Sequence, residues 1–106
     1  MDKRIDDGMQ ATLRALQLVG SVIECDAEGC HGDAKGELML LIRNLRSGEP
    51  GFQLAGRERI ADQARAALDV HDTRQRIARM AALHIELWRR VTDFLDERGT
   101  ADSAVE

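Results

Sequence analysis

At 106 residues, with 43% apolar and 32% charged residues, the chain is of single-domain size, which excludes wholesale disorder and two separate cores. A net charge of -4 argues against nucleic acid as a general partner, because phosphate binding needs a concentrated positive surface. No apolar run reaches bilayer length and the N-terminus lacks a signal-peptide core, so no membrane is expected and the expected location is the cytoplasm, with Cys25 and Cys30 reduced.

The apolar content is mostly Leu, Ala, Ile and Val, with two Phe, one Trp and no Tyr. Together with many Arg and Glu, this composition favours helix over sheet. The expected fold is all-α: a small antiparallel bundle of three to four helices with a long C-terminal helix. One domain is expected over residues 1–106, with a short flexible N-terminus (about 1–6) and a C-terminal tail (about 100–106).

A first helix is expected from Met9 to about Ala27. At about 100° per residue it carries two apolar lines, Met9-Leu13-Leu16-Gly20-Ile23 and Ala11-Ala15-Leu18-Val22-Cys25. Gln10, Arg14, Gln17, Ser21 and Glu24 fill a narrow polar strip between them. A helix so widely apolar is either central or shared with a second subunit, which motivates an expected homodimer. Glu28 to Asp33 reads as a Gly-punctuated loop, with Asp33 capping a second helix from about Ala34 to Arg46. Its buried line is Ala34, Leu38, Leu41, Ile42 and Leu45, which leaves Met39 and Leu40 towards the other side. Pro50-Gly51 fits the centre of a type II turn, after which Phe52 and Leu54 are expected to seal the bundle end.

From Arg57 to Arg98 no Gly or Pro occurs. Ile60, Ala64 and Ala67 form a weak first face. His71 to Arg76 then holds no apolar residue, and two helices are expected to meet near residues 71–73, with Asp72 or Thr73 as a cap. The strongest periodicity in the chain follows: Ile77, Ala81, His84, Trp88, Val91 and Leu95, widened by Met80, Leu87 and Phe94. Gly99 is the expected stop.

Three function classes follow. The first is a non-enzymatic protein-binding regulator, adaptor or inhibitor acting through a helical surface, with Leu18, Val22, Met39 and Leu40 as contacts. Arg76, Arg79 and Arg90 can add an outer charged face that meets acidic side chains. The second is a metal- or redox-responsive sensor, in which Cys25, Cys30 and His31 supply thiolate and imidazole ligands suited to zinc. Against it stands a spacing unlike common zinc sites; the plain alternative packs Cys25 as a small apolar residue. The third is a DNA-binding transcriptional regulator using the Arg residues near the 71–73 junction, opposed by the acidic total and a turn without glycine. His84 reads as a core histidine and His71 as solvated. No catalytic motif or phosphate-cradling loop occurs, so no enzymatic activity is expected.

Overall fold

A computed structural model of the chain describes the backbone of residues 3–105 and the side chains of residues 7–96. Four helices follow one another, α1 (Lys3–Ala27), α2 (His31–Ser47), α3 (Arg57–Leu68) and α4 (Thr73–Val105), and no strand occurs among the described residues. The all-α bundle with a long last helix is as expected. Each helix packs on its neighbours in the chain, and α1 against α4 closes the ring. α4 runs through the expected stop at Gly99 to Val105, so that glycine does not end the helix; the expected frayed ends fall outside the residues described in full. No helix among the described residues is long and apolar enough to cross a membrane.

The turn between α1 and α2 is tighter than the sequence suggested. Gly29 takes φ +90. Its N–H donates to the Asp26 carbonyl (3.2 Å), and the Cys30 N–H donates to the Cys25 carbonyl (2.8 Å), the paired bonds of a Schellman cap. Only residues 28–30 therefore separate the helices. Asp33 does not cap α2; it lies in the first turn, where its charge complements the helix dipole. At the other end of α2, Gly48 (φ +68) ends the helix, and Arg57 Nη1 donates to the last carbonyls, those of Leu45 (2.9 Å) and Arg46 (3.3 Å). Pro50-Gly51 forms the expected turn: Gly51 has φ +91 and the Phe52 N–H donates to Glu49 O (2.9 Å). Leu54 is buried below it and Phe52 packs on the core. Residues 57–105 form two helices rather than one. The Asp72 side chain caps the second by accepting the Gln75 N–H (3.0 Å).

The core consists of Ala, Val, Leu, Ile and Met from all four helices. Val19, Leu38, Leu41, Leu45, Ile60, Met80 and Leu87 are completely enclosed. Val19, between the two apolar lines read on α1, is its innermost aliphatic. Residues of both lines are buried or packed against the core, and α1 packs on both α2 and α4. Gly8 and Gly20 lie against Phe94 and His84 of α4, while Ser21 Oγ donates to Glu37 Oε2 of α2 (2.8 Å). The width of α1's apolar surface is thus used within one chain, and it no longer motivates a second subunit.

Glycine position decides glycine cost. Gly36 lies inside α2 with open space around its Cα, so Gly36→Ala is expected to raise unfolding stability by about 1 kcal/mol. Gly29 also has open space but needs a positive φ, so Gly29→Ala is expected to lower stability by about 1 kcal/mol. Urea denaturation of the two variants checks both signs.

Candidate interaction surface

Two features stand out: a buried polar knot at one end of the bundle and an exposed apolar stripe along α4. The knot decides where the stripe points.

Asp26 ends the line Val19-Val22-Asp26 on the inner face of α1 and is 1% exposed. Arg76 opens the inner line of α4, one turn before Met80, and is 2% exposed. Antiparallel packing of α1 on α4 brings them together. Arg76 Nε donates to Asp26 Oδ2 (2.6 Å) and Nη2 to Oδ1 (2.7 Å), a bidentate fork. Arg76 Nη1 donates to the Val70 carbonyl (2.9 Å) and, more weakly, to that of His71 (3.4 Å), which ties down the α3–α4 turn. His31 Nδ1 lies 2.6 Å from Asp26 Oδ1, which adds the start of α2. The ion pair, with His31, therefore joins the ends of α1, α2 and α4 and the turn that follows α3.

The Arg76 hydrogen bonds hold the Asp26 carboxyl below the usual carboxylate range, against an opposing push from burial, with His31 assisting. The same pair pushes the Arg76 guanidinium up, so it stays charged. Because the folded-state pKa of Asp26 is depressed, its stabilisation is complete above the unfolded carboxylate pKa of about 4 and is lost as pH falls through the folded value.

Of the sequence-derived contact residues, several are not on the surface. Arg76 belongs to the interior knot rather than an outer face, because its fork is taken by Asp26. Val22 is in the core and Leu18 is half-buried against it, both occupied by packing within the chain. Arg79 is exposed beside the α3–α4 groove formed with Gln63, Ala66 and Glu86. Arg90 is half-buried and committed internally: its Nη1 donates to the Ala55 carbonyl, and Nη2 lies 3.8 Å from Glu86 Oε1. Met39 and Leu40 are exposed, at 58% and 49%, on separate sides of α2.

Cys25, Cys30 and His31 do not form a ligand set. No group of three or more metal-ligating side chains is gathered among the described residues. Cys25 packs half-buried against the core, Cys30 is exposed at the start of α2, and both thiols are free. Burial pushes the Cys25 thiol up, with the Glu37 charge adding to it, which favours the neutral thiol over the thiolate that a metal needs. His31 spends Nδ1 on Asp26. His84 lies half-buried next to Gly20, and His71 is exposed.

The sequence reading merged two faces of α4. The inner face is Met80, Leu83, Leu87 and Val91, all buried, with Arg76 in line. The outer one carries Ile85, Trp88 and Leu95, which are 52%, 56% and 53% exposed. With Ala78, Ala81 and Thr92 these residues run at spacings of three and four, so six positions occupy about 100° of arc. Thr92 Oγ1 donates to the Trp88 carbonyl (2.9 Å), which satisfies its hydroxyl within the helix. Ile85 was missing from the sequence-derived face. The signal was its place in this three-four spacing, hidden because His84 beside it fits the inner arc.

Set against known proteins, the chain matches no family model, no curated protein and no solved structure.

Acid unfolding tests the knot. The wild-type chain is expected to lose stability steeply below about pH 4, and Asp26→Asn to start less stable but with a flatter acid slope. An unchanged slope in the variant would show that other carboxylates carry the acid sensitivity.

Proposed function

We propose that this chain is a non-enzymatic protein-binding regulator, adaptor or inhibitor that acts through a helical surface, in the cytoplasm and as a homodimer. The contact surface is the outer face of α4. One observation carries this: three large apolar side chains at helical spacing stand about half exposed along one long helix, with the single Trp of the chain at their centre. Trp is the residue type most often found at the energetic centre of interfaces. The internal packing of the bundle does not use this stripe. Removing it from water is therefore a gain left for a partner.

The rest of the surface gives less support to the other two classes. The cysteine loop lacks a gathered ligand set, and Arg76 and Arg90 are spent on internal contacts.

Because the chain has one Trp, 5-fluorotryptophan labelling puts a single fluorine probe in the middle of the surface. The expected result is one sharp, solvent-like ¹⁹F resonance in dilute buffer that shifts and broadens in concentrated solution or in lysate of the source cells. Introducing Leu95→Glu is expected to restore the free resonance while changing stability by no more than about 0.5 kcal/mol, as for a surface substitution. A resonance that stays sharp and unshifted under every condition would overturn the proposal.

A further inference from the structure

We infer that the occupant of the α4 outer face is a second copy of this chain, with its α4 running antiparallel to the first. This rests on the proposal that the face is a contact surface, and it adds the partner, the direction and the register.

The stripe begins at Ala78 and ends at Leu95, and its charged ends differ in sign. Arg74 lies one turn before Ala78, and Asp96 directly follows Leu95. At about 100° per residue both fall within the arc of the stripe. Both are exposed, and neither makes an ion pair with another described residue. A helix face that is positive at one end, apolar in the middle and negative at the other end complements itself when reversed. Parallel pairing would set Arg74 beside Arg74 and Asp96 beside Asp96, which opposes it at both ends.

Covering the whole stripe fixes the register. The two-fold axis passes between Glu86 and Leu87, midway along it. Ile85 of each copy then meets Trp88 of the other at the centre, where burial is deepest. Ala81 lies opposite Thr92, and Ala78 opposite Leu95, so small residues face larger ones in every outer layer. At the two rims Arg74 reaches Asp96 of the other copy. At this register Arg89, the remaining cation beside the stripe, lies level with His84 of the other copy and not with another arginine. The three-four spacing is that of a knobs-into-holes seam, which takes another helix rather than a sheet or a flat surface.

A seam of this length, about 27 Å along the helix, is at the small end of specific interfaces, so the dimer is expected to form with a Kd on the order of micromolar. Sedimentation velocity on the full chain, over a dilution series in plain buffer, tests this with four proteins: the wild type, Arg74→Glu, Asp96→Arg and the double variant. Circular dichroism monitors the fold of each. The expected result is a concentration-dependent wild-type dimer, each single reversal weakening it about tenfold, and the double variant returning to within about threefold of the wild type. A wild type that stays monomeric to about millimolar concentration would overturn the second copy as occupant, and so would a dimer indifferent to both single reversals. A failure of either kind that leaves the Trp88 fluorine shift intact in lysate would remove the self-pairing and keep the contact surface. Loss of that shift as well would remove both.

Discussion

The Asp26–Arg76 ion pair is the constraint on which the rest of this structure depends. A guanidinium and a carboxylate both withdrawn from water are costly unless every donor and acceptor is satisfied. Here they are. Both Asp26 oxygens are bonded by Arg76, with His31 against one of them, and the remaining Arg76 donors turn to the carbonyls of Val70 and His71 and, through Nη2, to Thr73 Oγ1 (3.4 Å). Such a pair tolerates little rotation or sliding of α4 on α1. Shifting α4 by one residue would swing Arg76 about 100° away from Asp26 and leave a bare buried charge.

That restriction matters because α4 is apolar over much of its circumference. Two adjacent faces compete for the core: Met80, Leu83, Leu87 and Val91 on one, and Ile85, Trp88 and Leu95 on the next. By apolar content alone the second, with its Trp, is a credible core face. Arg76 lies in line with Met80 and thereby selects the first. The knot thus acts through specificity more than through net stability, the role best attested for buried polar groups. The same choice leaves Trp88 exposed. In a chain whose third helix buries mainly Ala, turning a Trp outwards is a cost to the monomer, and it is offset when another helix covers it.

Much of the fold was legible because it rests on local physics. Pro50-Gly51 foretold its turn, Asp72 its cap, and the Leu38-Leu41-Ile42-Leu45 line its burial. Failures came where distant residues decide. Arg76 was read as an outer cation because its partner lies 50 residues away. A clue was nonetheless present: Arg76 and Asp26 each continue the apolar line of their own helix, where an isolated charge is out of place. Asp33 looked like the cap of α2, but a Gly29 Schellman turn starts that helix earlier, and the turn depends on backbone bonds that no side-chain pattern records. For the surface, the width of α1's apolar arc points to Leu18 and Val22, but α2 and α4 both pack on α1 and cover that arc. The actual stripe is half visible in the sequence, where Trp88 and Leu95 read as part of a core face. Only the rotation set by the knot turned them outwards.

The most direct measurement is a double-mutant cycle on the knot by chemical denaturation, using Asp26→Leu, Arg76→Leu and both together. If the pair fixes the packing of α4, each single change strands a buried charge and costs about 3–5 kcal/mol, while the double variant loses far less than the sum. Losses below about 1 kcal/mol for each single change, adding in the double variant, would contradict it. The rotation of α4 would then be set by its apolar side chains alone, and the outward stripe would need another cause.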